Sequence, residues 1–255
     1  MSKITLFKNM IIVSFLHIFG SIKLTGNMGK CEQCIVRQLN SLKSLSKNEL
    51  IQISACKTSR IVKKGEVIFD EGEHINGVYC ISDGVCKVSK MSSNGREQII
   101  HLVNKGDILG ERSLINDEVA NLKATAINDM EVCFIPRDEI INDLQKNPDF
   151  SLSILKDMAS SLKLADNVIV DMAQKTVKQR LAEMLLNLEN KFGHNNDNVL
   201  NIHLSREDIA NIIGTATESA IRLLSEFKRK EIIFLKGKNI TLLNIPQLKK
   251  IAQGF

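Results

Sequence analysis

Apolar residues return at helical intervals through most of the second half of this chain, and in short alternating runs through much of the first. The clearest helical stretch spans residues 204–229, LSREDIANIIGTATESAIRLLSEFKR. Ile209, Ile212 and Ile213 form one inward face and Ile221, Leu223, Leu224 and Phe227 a second, with Ala210 small enough to let two axes approach. Ser205 with Asp208, and Thr215 with Glu218, resemble capping boxes, so two helix starts sit too close together for two long independent helices. Gly214 lies between them, where a chain leaving a helix needs a residue that tolerates positive φ. The pattern predicts a helix-turn-helix.

From Cys31 to about Lys57 the pattern is helical, with Leu39, Leu42, Leu45, Leu50 and Ile53 inward and Ser46 as N-cap. Short alternating runs follow, at Val78–Ile81, Val85–Val88 and Gln98–Leu102, continuing to Ala124–Ile135. Asn76-Gly77, Asp83-Gly84 and Asn94-Gly95 are hairpin signals, and the whole reads as an antiparallel double-sheet roll. Pro136 ends the last strand and Arg137-Asp138-Glu139 opens a helical region broken near Pro148. Leu155, Met158, Leu162, Ala165, Ile169 and Met172 then alternate in steps of three and four, a heptad seam that suits a parallel partner helix. The alternative is a helix packed on its own sheet. A further helix buries Val177, Leu181, Met184, Leu185, Leu188 and Phe192 and stops at Gly193, before a short strand at Val199–His203. Beyond the helix-turn-helix, Ile232–Leu235 and Ile240–Leu243 flank Lys236-Gly237-Lys238-Asn239, a hairpin with a basic tip, or wing.

Charge adds to this picture because it is uneven. Residues 174–255 carry 13 Lys and Arg against 8 Asp and Glu, whereas the first 173 residues carry 21 of each. The net +5 therefore belongs to the helix-turn-helix segment, as expected for a polyanion partner. With 255 residues, 44% of them hydrophobic, the chain can build one large or two medium cores. Its six cysteines are too sparse for a secreted disulfide framework and fit a reducing, cytoplasmic setting. Lys3 and Lys8 precede an apolar run from Met10 to Ile22 that looks like part of a signal peptide but is short for a membrane span, and no membrane partner is expected. We expect the native chain to begin at Met28, with residues 1–27 either non-native or a disordered or weakly associating tail.

On the second helix, Thr217, Glu218, Ser219 and Arg222 face away from the expected core. Arg contacts guanine O6/N7 and a carboxylate accepts from cytosine N4 in a major groove. The plainer alternative for Glu218 and Arg222, four residues apart, is an intrahelical salt bridge. Ser205 and Arg206 at the first helix, and Lys236 and Lys238 on the wing, are the remaining candidate DNA contacts. No metalloprotease, nucleophile-elbow or P-loop motif is present and the five histidines are scattered, so an enzyme is not expected. The rival class is a small-molecule sensor whose winged helix contacts a protein partner.

In this order of elements the chain resembles the bacterial Crp/Fnr family of transcription regulators over about residues 31–245, through Gly106-Asp-Ile-Leu-Gly-Glu111, the strand Cys133–Pro136, Leu204-Ser-Arg-Glu-Asp-Ile-Ala210 and the pair Glu218 and Arg222. The resemblance implies an α+β fold: an N-terminal antiparallel β-roll (a double-stranded jelly roll), a long dimerisation helix and a C-terminal winged helix-turn-helix. The expected boundaries are 1–30 for an extension, 31–136 for the sensor roll with its helical lead-in, 137–173 for the dimerisation helix and 174–255 for the DNA-binding domain. It also implies a homodimer on a palindromic DNA site and RNA polymerase as a further partner. Glu218 and Arg222 match the family's base-reading pair, while Ile221 replaces the Ser or Gly of many members, which leaves the half-site open.

The signal is less legible. Cyclic-AMP-binding members follow the Gly-Glu pair with an Arg-Ser that clamps the cyclic phosphate; here Val119-Ala120-Asn121-Leu122 offers no Arg. A buried phosphate without a cation is costly, so cyclic AMP is disfavoured, and Gly110, Glu111, Arg112 and Ser113 stand as the candidate effector pocket. The family's iron–sulfur oxygen sensor is resembled at Cys31, Cys34 and Cys133, but its third N-terminal cysteine is replaced here by Asn40. A [4Fe–4S] cluster normally takes four thiolates, so one ligand is missing; Cys56, a non-cysteine ligand or an exogenous thiol are the candidates to replace it. The alternative treats Cys80, Cys86 and Cys133 as buried hydrophobes, and Cys31 and Cys34 as an exposed oxidisable pair or a zinc half-site.

Overall fold

A computed structural model describes residues 30–255 of the chain; the expectations for residues 1–27 lie outside the described residues. The lead-in is less regular than the helix read from its leucine spacing. It consists of three 3-10 turns, Cys31–Gln33, Ile35–Leu39 and Ser41–Ser44, separated by the extended residues Cys34 and Asn40. Leu39, Leu42 and Leu45 step by three, the period of a 3-10 helix, and Leu39 remains exposed. Helix α1 (Lys47–Cys56) then starts as expected at Ser46, in a reciprocal capping box with Glu49.

The roll contains β1 (Thr58–Val62), β2 (Val67–Phe69), β3 (Gly77–Asp83), β4 (Val85–Met91), β5 (Glu97–Asn104), β6 (Ile108–Leu109), helix α2 (Glu111–Asn116), β7 (Lys123–Ala126) and β8 (Met130–Pro136). Two antiparallel four-stranded sheets face each other, in the orders β1-β8-β3-β6 and β2-β7-β4-β5. Only one of the three expected hairpins forms: Asn94-Gly95 joins β4 to β5, with Met91 opposite Glu97. Asp83-Gly84 carries the chain from one sheet to the other, and a Cβ on Gly84, at φ 92°, would lie 2.3 Å from that of Met130. Gly77 is a strand residue opposite Pro136, where an added Cβ would sit 2.2 Å from the Ile135 carbonyl oxygen. At these two positions close approach, not a two-residue turn, requires glycine.

Strand alternation separates two cores. Ile81, Met130 and Val132 point into the roll with Cys86, whereas Val78, Cys80, Cys133 and Ile135 join the core outside the sheet. That outer core is closed by the lead-in, α1, helix α3 (Arg137–Lys146) and the first turns of helix α4 (Pro148–Gln174). The helical region over 137–173 is broken near Pro148 as expected, at extended Asn147; Asn147 caps α4 by accepting from Phe150 N at 3.0 Å, with Pro148 in the first turn. At 27 residues, α4 is about 40 Å long.

Thr176 caps helix α5 (Val177–Phe192), which ends at Gly193 with φ 66°. The strand expected at Val199–His203 does not form: Leu200 and Val199 make only isolated bridges, to His194 and Thr241, so Leu200, Ile202 and Leu204 are buried without a ladder. Helices α6 (Arg206–Ile213) and α7 (Thr217–Arg229), strands β9 (Ile233–Lys236) and β10 (Asn239–Leu242), and helix α8 (Ile245–Ala252) complete the C-terminal core. Helix α8 has no counterpart in the sequence reading; Asn244 caps it, and Leu248 and Ile251 are buried in the core it shares with α5. Among the described residues no helix is long and apolar enough to cross a membrane.

Candidate nucleic-acid interface and cysteine core

The first start of the helix-turn-helix is built as its sequence indicated. Ser205 Oγ accepts from Asp208 N at 2.9 Å, and Asp208 Oδ2 accepts from Ser205 N at 3.2 Å and Ser205 Oγ at 2.6 Å. Ser205 is therefore committed to capping α6. Gly214 leaves that helix in the left-handed conformation. The second expected box is absent: Thr215 N closes α6 on the Ala210 carbonyl, and α7 begins after Ala216 without a side-chain cap. Burial on α7 also differs, falling on Ala220, Leu224 and Phe227 and leaving Ile221 44% exposed. Spacings of four and three keep those buried residues on one stripe, which a helix turns 221 away from.

The solvent side of α7 carries Glu218, Ile221, Arg222 and, at its end, Lys228 and Arg229, with Thr217 and Ser219 half-buried beside them. Glu218 and Arg222 form no ion pair with each other or with any other described residue. At the wing, Gly237 takes φ 61° and Lys236 and Lys238 are exposed at the tip. Arg206 Nη2 donates to the Gly237 carbonyl at 2.8 Å, so this candidate contact ties α6 to the wing.

The structure adds a polar junction between roll and helix-turn-helix. Lys87 on β4 reaches Glu97 on β5 at 2.8 Å and Asp208 on α6 at 3.0 Å, all three side chains less than one-fifth exposed. Ser89 and Asn211 also donate to Glu97, at 2.7 and 3.0 Å. Burial opposes every charge here, but the mutual hydrogen bonds outweigh it: the Lys87 pKa is raised, and those of Glu97 and Asp208 are lowered. Nothing in the spacing of residues 87, 97 and 208 marked them for one another.

Along α4, Leu155, Leu162 and Ile169 are 61%, 64% and 66% exposed, one every seven residues. Met158, Ala165 and Met172, the other half of the expected seam, are partly covered by the chain itself. Met158 packs on the outer core of the roll and Met172 Sδ lies 3.2 Å from where a Gly214 Cβ would stand. A cavity of about 380 Å³ lies between the roll, α2 and α4. Gly110, Glu111, Arg112 and Ser113 all line it, with Ala120, Asn121, Asp157 and Lys191, so the four expected pocket residues do share one space. Burial raises the pKa of the Glu111 carboxyl there.

The cysteines are gathered more closely than their sequence positions indicate. Cys31, Cys80 and Cys133 are buried and Cys34 half-buried in the outer core, with all four thiols free. This corrects the reading of Cys31 and Cys34 as an exposed pair: the lead-in folds them back under α1. Cys80 and Cys133 face each other across β3 and β8. Ser59 and Ser82 hydroxyls each lie 3.4 Å from Cys133 Sγ, while Asn40 Nδ2 donates to Cys80 Sγ at 3.4 Å and to the Gly106 carbonyl at 3.0 Å. Burial pushes the Cys80 thiol up to about 12, with Cys133 adding to the rise, Asn40 opposing it and Cys34 and Cys31 adding further. Among the described residues, no three His, Cys, Asp or Glu are drawn to the spacing of a single metal ion. Cys56 is outside this core, its thiol directed to the Gln52 and Ile53 carbonyls of its own helix, and Cys86 lies inside the roll.

Comparison with known proteins gives two family matches: a cyclic nucleotide-binding domain over residues 59–147 and a Crp-like helix-turn-helix domain over residues 179–251. The chain is 30% identical over 226 residues to the fumarate and nitrate reduction regulatory protein of Vibrio cholerae, covering 87% of this chain and 90% of that one. It is 27% identical over 240 residues to the protein of the same name from Escherichia coli K12, covering 92% and 95%. Among solved structures, a Crp/Fnr-family regulator from Eubacterium rectale shares the fold with a TM-score of 0.70 at 20% identity, over 84% of this chain and 97% of that one. FixK2 of Bradyrhizobium japonicum gives 0.68 at 24% identity, over 76% and 96%.

The polar junction has a measurable consequence. Lowered carboxylate pKa values contribute stability above the ordinary carboxylate range, lost as pH falls through the folded values; the raised Lys87 value contributes below the ordinary ammonium range, lost as pH rises through the folded value. The three together support a plateau between about pH 5 and pH 10. Lys87→Ala leaves two buried carboxylates facing each other and is expected to lower unfolding free energy by roughly 3–5 kcal/mol at pH 7, and by less at pH 4, in urea titrations. An equal loss at both pH values would show that Lys87 acts through packing alone.

Proposed function

Since this chain belongs to the Crp/Fnr family of transcription regulators, we propose that it works as a homodimer on a palindromic DNA site and takes its signal through the cysteine core. The observation that carries the DNA half is the outer face of α7, where Glu218 and Arg222 stand exposed and unpaired near the helix N-terminus. Arg222 reads guanine and Glu218 accepts from cytosine, while the exposed Ile221 offers an apolar surface to a thymine methyl. Lys236 and Lys238 reach phosphates from the wing, and Arg206 and Ser205 act indirectly, by holding the wing and α6. RNA polymerase is the further partner that family membership supports, and a cytoplasmic setting is the one that fits DNA as partner.

Dimerisation is assigned to α4. An exposed row of Leu155, Leu162 and Ile169 gives a partner helix a strip to cover, and Ala165 allows close approach at mid-seam. The division expected from the sequence, 31–136 sensor, 137–173 dimer helices and 174–255 reader, is retained as the functional division. It is refined by the break at Asn147, which leaves α3 with the sensor core.

For the signal, the relatives named as fumarate and nitrate reduction regulators and the donor chemistry point the same way. Buried thiols beside one another and beside amide and hydroxyl donors fit an iron–sulfur cluster better than they fit a hard cation. When bound, such a group supplies a redox-active centre. Cys31, Cys34 and Cys133 would hold it, and the same core contains Phe150 and Ile154 of the dimer helix. Cyclic AMP remains the less favoured signal: the Ala120-Asn121-Leu122 wall of the cavity brings no guanidinium, and the cations that do line it are Arg112 and Lys191.

Arg222→Ala is expected to cost roughly 1–3 kcal/mol at one base pair per half-site in gel-shift titrations on selected DNA, with specificity relaxed there. Unchanged binding would remove Arg222 from the readout. Leu162→Glu sets like charges across the seam and is expected to sediment as a monomer; a dimer would place the interface elsewhere. Protein purified without oxygen is expected to be brown, to carry iron and sulfide, and to bleach in air. Colourless, iron-free protein that still dimerises and selects DNA would overturn the cluster reading and move the signal to the cavity at Gly110 and Glu111.

A further inference from the structure

We propose that Cys80 supplies the fourth thiolate of the cysteine core, in place of the N-terminal cysteine that this chain lacks at Asn40. The inference rests on the iron–sulfur reading above and adds the ligand that the reading left open. Its starting point is the contact between the two residues: Asn40 Nδ2 lies 3.4 Å from Cys80 Sγ. A sulfur carried by residue 40 would reach the same neighbourhood that the Cys80 sulfur occupies from the strand. The thiol is therefore present in space although it is absent from its usual place in the sequence.

Strand geometry makes the same assignment independently. Cys80 and Cys133 are register partners in an antiparallel pair, so their side chains leave the sheet on the same face, a few ångströms apart. That face is the outer one, where Cys31 is buried and Cys34 packs on the same apolar core. The lead-in thus lays its two closely spaced thiols over the two presented by the sheet.

The two other cysteines do not meet these conditions. Cys56 sits at the end of α1, within electrostatic reach of Cys31 but outside the outer core, with its thiol turned toward backbone carbonyls and with Glu139 and Asp143 nearby. Another anionic ligand beside those carboxylates is disfavoured. Cys86 projects into the roll interior, on the other side of the strand alternation. Ligation needs no oxidant: each sulfur gives up its proton to solvent as it binds an iron of a preformed cluster. Asn40 then keeps a role, because its amide can donate to the Cys80 sulfur as it does to the free thiol, and hydrogen bonds of this kind tune cluster potentials.

The test compares full-length parent, Cys80→Ser, Cys56→Ser and Cys86→Ser, each reconstituted without oxygen from equal amounts of ferrous and ferric iron with sulfide, which assemble a [4Fe–4S] core without a further oxidant. Iron and sulfide per chain, visible absorbance, circular dichroism and sedimentation are measured. Parent, Cys56→Ser and Cys86→Ser are expected to hold the cluster, and Cys80→Ser to lose its iron and broad absorbance while keeping the parent's fold. The double variant Asn40→Cys with Cys80→Ser returns a thiol to residue 40 and is expected to regain the cluster, which separates loss of a ligand from damage to the core. Iron-free parent would defeat the cluster reading, and this inference with it. Iron-loaded parent with an equally loaded Cys80→Ser, or loss confined to Cys56→Ser, would overturn the Cys80 assignment alone. A double variant that folds but stays iron-free would do the same.

Discussion

The structure depends on one shared core, in which Cys31, Cys80, Cys133 and the first turns of α4 are buried against the same sheet face, with Cys34 half-buried at its edge. Phe150 and Ile154 of α4 pack there with Cys31, Cys80, Cys133 and Ile140, each large side chain contributing roughly 1.5–3 kcal/mol by its burial. Asn147 reinforces the joint, donating to Glu49 and to the Ser44 carbonyl while it caps the helix. A close-packed core does not deform continuously, so a change of charge or volume at the cysteines is felt by the helix that starts among them. Helix α4 is thereby a wall of the outer core as well as a link from it to the C-terminal domain.

At its far end the same helix meets the reader. Met172 lies against Gly214 in the turn between α6 and α7, and Arg180 donates to the Met172 and Lys175 carbonyls and to that of Ile213. One guanidinium therefore joins the end of α4, the start of α5 and the end of α6. The roll grips α6 from the other side through Lys87, Glu97, Asp208 and Asn211, and through Gln98 donating to the Ile212 carbonyl. A buried lysine between two carboxylates fixes orientation, because any slip leaves a charge without its partner. The reader is held in a defined pose relative to the roll, and moving it requires those contacts to be exchanged together.

Much of the local framework was legible from the chain. Ser46, Ser205, Gly193 and Gly214 announced their roles because a cap or a left-handed exit depends on a residue and its near neighbours. The misreadings share a cause. Thr215-x-x-Glu218 has the form of a capping box, yet Thr215 is occupied in closing the preceding helix. Asn76-Gly77 and Asp83-Gly84 look like hairpin turns, but their glycines admit a carbonyl oxygen and a methionine that only the folded roll brings near. Val199–His203 alternates like a strand and finds no strand to pair with. Ile221 is apolar but falls on the wrong side of the stripe defined by Ala220, Leu224 and Phe227.

The sequence by itself determined the order of elements, the basic helix-turn-helix segment that carries Glu218 and Arg222, and the seven-residue spacing on α4, since each is a matter of period, composition or a short motif. Only the tertiary structure decided what meets across distance. It set Lys87 beside Asp208, put the Gly110–Ser113 turn on a cavity walled by α4, and brought Cys80 to Asn40 and Cys133. Those pairings follow from sheet register and from how the lead-in folds back over the roll. No local preference encodes them, because the residues involved share no turn, no strand and no period until the chain has closed on itself.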